Sequence, residues 1–195
     1  MKIQEKYEHA CNHPSDINEH VSVLKSYADK VSHITEMGVR ECVATYGFLA
    51  SALQSPKKII SIDLYTTEGV KEAVDLCKEE GLDFTFIQAD VLKIEIEPTE
   101  LLFIDTFHCY SQLRQELELH GNKASKYLIF HDSQSYAHTD ENGFWLTPEM
   151  IANYKDEGKK GLIPAINEFL EANPHWVLDH HYTNNNGLMV LKRNG

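Results

Sequence analysis

Residues 33–49 read HITEMGVRECVATYGFL. An apolar run ends at Met37, a single glycine follows at Gly38, and a helical pattern begins a few residues later. A turn that cradles a dinucleotide pyrophosphate carries a G-x-G-x-x-G run, whose glycines let the backbone approach the phosphates. That run is absent here. The stretch therefore predicts a strand, a tight turn and a helix, and it argues against a pyrophosphate-binding turn.

Further apolar runs lie along the chain: KKIISIDL, DFTFIQAD, ELLFIDT and KYLIFHD. They are short, β-branched or aromatic, and mostly continuous, which is typical of strands buried on both faces of a parallel sheet. Helical patterns separate several of them: ECVATYGFLASAL, TEGVKEAVDLCKEEG and SQLRQELELHG. This alternation predicts an α/β fold with a doubly wound, Rossmann-like, mostly parallel sheet.

The two ends of the chain are predicted to add to this sheet. In residues 15–30, SDINEHVSVLKSYADK, apolar side chains share one helical stripe, so we interpret residues 1–30 as a helical cover. Near the other end, the run Asn184 to Gly187 separates two apolar segments and predicts a β-hairpin turn. No linker, repeat or low-complexity tract divides the chain, so residues 1–195 are predicted to form one domain.

Residues 133–160 form a long polar segment that nevertheless carries aromatic and imidazole side chains: Tyr136, His138, Phe144 and Trp145. Long loops in compact domains are usually functional or disordered. Aromatic faces suit a sugar or another ring. We therefore interpret residues 133–160 as a loop that covers a substrate.

The charge and apolar content of the chain indicate which kinds of binding partner to expect. The formal net charge is −12, and nucleic acids and anionic membranes bind basic surfaces, so neither is expected as a partner. No stretch approaches about 18 apolar residues and the start has no apolar signal-peptide core, so we expect a soluble, cytoplasmic protein. Four scattered cysteines without a C-x-x-C pair suit reduced thiols. Whether the chain forms a homo-oligomer is left open.

Each of the five predicted strands has an acidic residue at its carboxyl end. These residues are Glu36, Asp63, Asp90, Asp105 and Asp132. In an open α/β sheet, ligands bind at the carboxyl ends of the strands. Asp and Glu also favour strand ends and helix caps without any function, but five such residues in five strands predict a ligand site lined by carboxylates.

The ordered set of E-x-G, SID, QAD and FIDTFHCY resembles the class I S-adenosylmethionine-dependent methyltransferases. More narrowly, FIDTFHCYSQLRQELELHGNKASKYLIFHDS and the later GLIPAINEFLEANPHWVLDHHYTNNNGLMVLKR resemble small bacterial and viral methyltransferases related to sugar-modifying and cephalosporin-type enzymes. The resemblance extends from about residue 16 to residue 193. It implies a seven-stranded sheet with a C-terminal antiparallel hairpin.

The resemblance also implies roles toward S-adenosylmethionine, a cofactor with an amino-acid tail and no phosphate. Gly38 lets the backbone approach the tail, and Glu36 holds its amino group directly or through water. Asp63 accepts from the ribose hydroxyls, Asp90 accepts from the adenine amino group, and Asp105 lies beside the cofactor. The family usually has a second glycine where this chain has Cys42, whose β-carbon predicts a non-glycine backbone conformation.

For a hydroxyl acceptor, catalysis also requires removal of a proton. The candidate groups lie after the fourth and fifth strands: Asp105, His108, His131 and Asp132. In one scheme His131 or His108 is a general base that titrates near neutral pH. In the other, Asp105 and Asp132 hold Mg²⁺, which lowers the pKa of the hydroxyl. Related metal-dependent enzymes often have Asn where this chain has Ser133, a poorer ligand, so we favour the histidine scheme slightly.

The sequence therefore predicts a methyltransferase that acts on a small-molecule acceptor, with a sugar hydroxyl or glycan precursor favoured. Two alternatives are kept. The departures at Cys42 and Ser133 would suit a catalytically degenerate scaffold that only binds S-adenosylmethionine. Asp63 alone would also suit an NAD-dependent sugar-nucleotide enzyme, although the missing glycine run argues against it.

Overall fold

The computed structural model describes residues 2–144, 146–152, 154 and 158–194. Seven strands form one sheet in the order β3-β2-β1-β4-β5-β7-β6. The strands are β1 His33–Met37, β2 Lys58–Asp63, β3 Asp83–Gln88, β4 Thr99–Ile104, β5 Ala124–His131, β6 Trp176–Tyr182 and β7 Leu188–Arg193. Strands β1 to β5 pair in parallel, and β7 is antiparallel to both of its neighbours. The predicted mostly parallel sheet and the C-terminal antiparallel pair are confirmed.

Within the described residues, seven α-helices connect or cover these strands. They are α1 Ile3–Asn12, α2 Val21–Ala28, α3 Val43–Ala52, α4 Glu68–Glu80, α5 Tyr110–His120, α6 Pro148–Ala152 and α7 Leu162–Ala172. Short 3₁₀ turns at Asn18–His20 and Gly121–Lys123 lead into α2 and β5. Helices α1 and α2 pack on α3, and α5 packs on α7.

The sheet separates two hydrophobic cores. One core contains side chains from α1 to α4, such as Phe48, which makes an edge-to-face contact with Phe103 of β4. The other core contains side chains from α5 and α7, together with the opposite face of the strands. Because both faces of the central strands are buried, their sequences are continuously apolar rather than alternating. This arrangement confirms the predicted doubly wound fold.

The predicted substrate segment, residues 133–160, begins directly after β5. Its described part contains the short helix α6 and an exposed Phe144, while Trp145 lies outside the described residues. Its role as a substrate cover stays a prediction. Among the described residues, no helix combines the length and the apolar character needed to cross a bilayer.

Candidate active site

A cavity of about 340 Å³ opens at the carboxyl ends of β1 to β4. Four of the predicted site residues lie on its wall together with His108: Gly38, Asp63, Asp90 and Asp105. Apolar and aromatic side chains complete much of the lining: Ile62, Tyr65, Phe107, Met150 and Tyr154. Three of the five predicted carboxylates, Asp63, Asp90 and Asp105, therefore line one pocket, whereas Glu36 and Asp132 do not lie on its wall.

Gly38 brings the turn after β1 into close contact with the end of β4. Its φ is +86°, and a β-carbon there would lie 2.0 Å from the carbonyl oxygen of Asp105. The Gly38 amide donates to the Ile62 carbonyl at 2.9 Å, so the turn is also tied to β2. Only glycine fits this conformation and this space.

Asp63 fixes the same turn from the end of β2. Its Oδ2 accepts from the amides of Val39 and Arg40 at 2.7 and 3.0 Å, and its Oδ1 accepts from the amide of Tyr65 at 3.1 Å. A carboxylate offers about four lone-pair sites, so the three bonds leave roughly one for a ligand. Its predicted bond to a ribose therefore stays open, alongside a structural role that the sequence did not indicate.

Cys42 departs from its predicted backbone conformation. The sequence predicts a non-glycine conformation because cysteine has a β-carbon, but the structure has φ +63° and ψ 24°, which is left-handed. The Cys42 amide donates to the Val39 carbonyl at 2.9 Å, which closes the turn before α3 begins. A left-handed non-glycine residue costs roughly 1–2 kcal/mol. The turn thus keeps the shape that a second glycine would give it.

Glu36 lies beneath the cavity and not on its wall. The side chain is fully buried, and its carboxylate accepts from Thr45 Oγ1 at 2.9 Å and from Ser61 Oγ at 2.5 Å. Burial raises the pKa of Glu36 to about 8, although both hydroxyls oppose the shift. The carboxylate therefore links β1 to β2 and α3, and its predicted hold on a cationic amino group, directly or through water, stays a prediction.

The ends of β4 and β5 bring together four side chains that we call the Asp–His cluster: Asp105, His108, His131 and Asp132. His108 Nε2 lies 3.2 Å from Asp105 Oδ1 and 3.1 Å from Asp132 Oδ2. His131 Nδ1 lies 3.4 and 3.1 Å from the same two oxygens. The predicted catalytic residues are thus neighbours, and His108 is the imidazole on the cavity wall.

Two further residues lie against the outer nitrogens of the imidazoles. The sequence did not predict either of them as a site residue. Glu141 Oε2 lies 2.9 Å from His108 Nδ1 and also accepts from the His108 amide. The Asn185 carbonyl lies 3.3 Å from His131 Nε2. Tyr136 stacks on His108, with ring centroids 5.0 Å apart and planes 2° from parallel. One feature of the sequence could have pointed to Glu141, namely its position within the predicted substrate segment, residues 133–160.

The cluster changes the protonation expected of its members. Burial lowers the pKa of His108, but the carboxylates of Asp105 and Glu141 outweigh it and raise that pKa to about 10. Burial likewise opposes the charge on His131, and Asp105 and Asp132 raise its pKa to about 10. Both pKa values therefore lie above the range near neutral pH that the sequence predicts, and the catalytic role of each ring stays a prediction. A general base must be neutral, so these carboxylates work against the simple histidine scheme.

A second buried acid lies behind the cavity wall. Glu116 of α5 is fully buried, and its Oε1 accepts from Thr106 Oγ1 at 2.6 Å and Gln112 Nε2 at 2.7 Å. Burial raises the pKa of Glu116 to about 7, against the effect of these two bonds. Thr106 and Gln112 both line the cavity, so Glu116 fixes two wall residues that the sequence did not identify.

The ligand chemistry of the cluster does not fit the predicted Mg²⁺ site. Asp105, His131 and Asp132 lie close enough to share a metal ion. Mg²⁺ takes oxygen ligands, however, and the cluster adds imidazole nitrogens to its two carboxylates. Ser133 is buried, and its hydroxyl lies 3.2 Å from His181 Nε2 on another strand. The structure therefore lends the Mg²⁺ scheme no support.

No protein-family profile and no curated protein sequence matches the chain. Solved structures do match. PaMTH1, a methyltransferase from Podospora anserina solved with S-adenosylhomocysteine, is 13% identical over 99% of this chain and 88% of its own, with a TM-score of 0.61. TomG, an O-methyltransferase from Streptomyces achromogenes solved with S-adenosylmethionine, is 12% identical over 100% and 91%, with a TM-score of 0.61. A candidate caffeoyl-CoA O-methyltransferase from Staphylococcus aureus is 14% identical over 100% and 93%, with a TM-score of 0.65.

The chain has the fold of the class I methyltransferases. At identities of 12 to 14% these structures show a shared fold and nothing finer. The predicted relation to sugar-modifying and cephalosporin-type enzymes is not tested by them and stays a prediction.

Proposed function

We propose that this protein is an S-adenosylmethionine-dependent methyltransferase that methylates a hydroxyl group of a small molecule. The observation that carries the proposal is the pocket at the carboxyl ends of β1 to β4, which Gly38, Asp63 and Asp90 line in the order expected for this cofactor. Two structures with the same fold were solved with S-adenosylmethionine or S-adenosylhomocysteine bound.

The wall residues fit the parts of the cofactor. The turn at Gly38 gives an amino-acid tail close access to backbone. Asp63 retains capacity to accept a hydrogen bond from a ribose hydroxyl, and Asp90 can accept one from an adenine amino group. When bound, the cofactor supplies a sulfonium methyl that is already activated, so alignment of the acceptor accounts for much of the rate.

His108 is the member of the Asp–His cluster best placed to meet the acceptor. It lines the cavity, whereas His131 is 1% exposed and lies behind it. Glu141 and Asp132 on its two nitrogens hold the ring in one orientation. In this proposal His108 and Asp132 orient the acceptor hydroxyl, and the Asp132 carboxylate accepts its hydrogen bond.

A sugar hydroxyl or glycan precursor is the acceptor class that we propose. The cavity combines carboxylates, which accept from hydroxyl groups, with the aromatic side chains Tyr65, Phe107 and Tyr154. A sugar ring offers hydroxyls at its edge and an apolar face. Among the described wall residues, Arg40 is the one cationic side chain apart from His108, so this part of the wall offers no basic patch for a nucleic acid.

Ligand binding followed by an acceptor screen tests the proposal. S-adenosylmethionine at about 100 times its Kd should stabilise the protein by roughly 2.7 kcal/mol, which thermal unfolding detects, and NAD should not. A screen of sugars with methyl-labelled S-adenosylmethionine should then find transfer. Stabilisation by NAD instead would overturn the proposal. Binding of S-adenosylmethionine without transfer to any acceptor would favour the degenerate scaffold.

A further inference from the structure

Glu116 of α5 is a buried acid that the proposed methyl transfer does not use. The residue has no exposed surface, and its Oε2 has no hydrogen-bond partner among the residues that the structure describes. A buried polar atom without a partner is destabilising. Because this unfavourable group lies directly behind the wall of the ligand cavity, we examined what its second oxygen holds in place.

The hydrogen bonds of Glu116 go to the cavity wall. Its Oε1 accepts from Thr106 Oγ1 at 2.6 Å and from Gln112 Nε2 at 2.7 Å, and both donors line the cavity. A side-chain amide has a nitrogen that donates and an oxygen that accepts. Since Glu116 holds the nitrogen of Gln112, the amide oxygen is the polar atom of this side chain that remains for a ligand. Glu116 thus decides which way the Gln112 amide is turned.

Gln112 shares the cavity with Asp90, the residue predicted to accept from the adenine amino group. Burial raises the pKa of Glu116, and the charge of Asp90 adds to that increase, so these two acids lie near one another. Asp90 already has partners, because its Oδ1 accepts from the Leu92 amide at 3.0 Å and its Oδ2 lies 3.4 Å from Lys93 Nζ. An adenine amino group has two N–H donors, which gives it a use for a second acceptor on this wall.

We propose that Gln112 recognises the amino group of adenine through its amide oxygen, and that Glu116 is the positioning residue that turns the amide toward it. This inference rests on the proposed function, because it requires a cofactor with an adenosyl group. Hypoxanthine has a carbonyl oxygen where adenine has the amino group, so it would place two acceptors against each other. A site built around a hydrogen bond rejects the analogue that cannot make it. Gln112 and Glu116 therefore select adenosyl over inosyl cofactors.

Calorimetry of the full chain with S-adenosylhomocysteine and S-inosylhomocysteine tests the role of Gln112. The parent should bind the adenosyl compound at least about 10-fold more tightly. Gln112→Ala should lose most of this preference, because affinity falls for the adenosyl compound and not for the inosyl compound. Gln115→Ala, on the same helix but outside the cavity wall, is the matched control and should keep the preference of the parent.

The outcomes of this measurement separate the inference from the proposed function. A parent that binds neither compound would contradict the proposed function, and the inference would fail with it. A parent that binds S-adenosylhomocysteine without preferring it, or an unchanged preference in Gln112→Ala, would overturn the inference alone.

Variants of Glu116 test its positioning role. Glu116→Leu removes the acceptor and should lower the adenosyl preference as Gln112→Ala does, although Gln112 is still present. Glu116→Gln keeps an acceptor oxygen for Thr106 and Gln112 and should retain the preference of the parent. Glu118→Leu, at an exposed position on α5, is the matched control.

The ratio of the two affinities distinguishes positioning from a merely structural role, which would weaken binding of both compounds alike. An unchanged ratio in folded Glu116→Leu would overturn the role of Glu116. Circular dichroism identifies any variant that fails to fold. If Glu116→Leu does not fold, a loss of the preference in Glu116→Gln would still contradict the proposal, because that variant retains the acceptor.

Discussion

Two glycines with left-handed backbones show how differently a single β-carbon can be tolerated. At Gly38 it would lie 2.0 Å from the Asp105 carbonyl oxygen, whereas at Gly81, the C-cap of α4, nothing lies within 4 Å. Both have φ between +60° and +90°. The two glycines therefore differ in whether the end of β4 lies against them, and not in backbone conformation.

We expect Gly38→Ala to lower the free energy of unfolding by roughly 3 kcal/mol or more, since backbone atoms must move. Gly81→Ala should cost only about 1–2 kcal/mol, the price of a left-handed alanine. Urea unfolding followed by circular dichroism measures both. Equal losses in the free energy of unfolding would show that the close contact between Gly38 and β4 does not make Gly38→Ala more destabilising.

Glu36 gives a prediction for the effect of pH. Its pKa is about 8 in the folded protein against an ordinary 4.5, so the folded state holds the proton more tightly than the unfolded chain. Its contribution to stability is complete below about pH 4.5 and is lost as the pH rises through 8. Glu36→Gln should therefore reduce the decline in stability over this window, by roughly 1–3 kcal/mol at its upper end.

Unfolding measured between pH 5 and about 9 checks this prediction. Glu79→Gln, at an exposed position on α4, serves as the control and should follow the parent curve. A Glu36→Gln curve parallel to that of the parent would mean that Glu36 titrates alike in the folded and unfolded states.

The turn between β1 and α3 shows what the sequence reveals about an element and what it conceals. Continuous apolar runs predicted the strands, and the acidic residues after them predicted where the pocket opens. The sequence could not reveal that Thr45 and Ser61, 9 and 25 residues beyond Glu36, would occupy its carboxylate. Nor could it show the left-handed Cys42, because the hydrogen bonds of the turn override the local preference of cysteine.

The same limit applies to the histidines after β4 and β5. His108 and Glu141 are 33 residues apart in sequence, so only the folded chain shows their contact. The pKa of each imidazole depends on carboxylates from other strands and loops, which spacing does not reveal. The residue types and their positions at strand ends therefore predict where these groups lie. Their charge depends on contacts that form only in the folded chain.

Asp63→Asn tests the turn as part of a cofactor site. Asparagine keeps an acceptor oxygen for the turn amides but removes the charge that a ribose hydroxyl would meet. We expect affinity for S-adenosylmethionine to fall by about one to two orders of magnitude, since a hydrogen bond to a charged group contributes roughly 1.5–3 kcal/mol. Calorimetry measures the loss, and Asp75→Asn, exposed on α4, is the control. Unchanged affinity would remove Asp63 from the site.

Asp132→Asn and His108→Ala test the ends of β4 and β5. Asp132 has φ +56°, a conformation that asparagine tolerates, so the first variant should retain the backbone. We expect methyl transfer to fall by at least about 100-fold in each variant, because both groups contact the acceptor in the proposed function. Binding of S-adenosylhomocysteine should persist. Full transfer in both variants, on a confirmed acceptor, would place the chemistry elsewhere.

At the scale of the whole molecule, β7 holds the sheet together. It pairs with β5 on one side and β6 on the other, and three of its side chains are fully buried: Leu188, Val190 and Leu191. Each buried aliphatic side chain contributes roughly 1.5–3 kcal/mol, so together they approach the 5–15 kcal/mol that stabilises a typical domain. One strand therefore decides whether β6 can join the rest of the sheet.

A chain that stops at Tyr182 should show no cooperative thermal unfolding, because β5 loses one of its two neighbours and β6 loses the one partner described for it in the sheet. A chain that stops at Arg193 retains all of β7 and should unfold like the parent. Differential scanning calorimetry compares the two. A cooperative transition in the shorter chain would show that β1 to β5 are stable alone.

The position of β7 also sets an order of events during synthesis. Strand β6 leaves the ribosome before the strand that must lie between it and β5, so the sheet stays incomplete until the final hairpin arrives. That hairpin brings the Asn185 carbonyl to His131 and the Asn186 carbonyl to the amides of Gln134 and Ser135. A nascent chain thus lacks these supports of the candidate active site until translation has passed the two asparagines, so a ligand that needs the site would be captured only after that point.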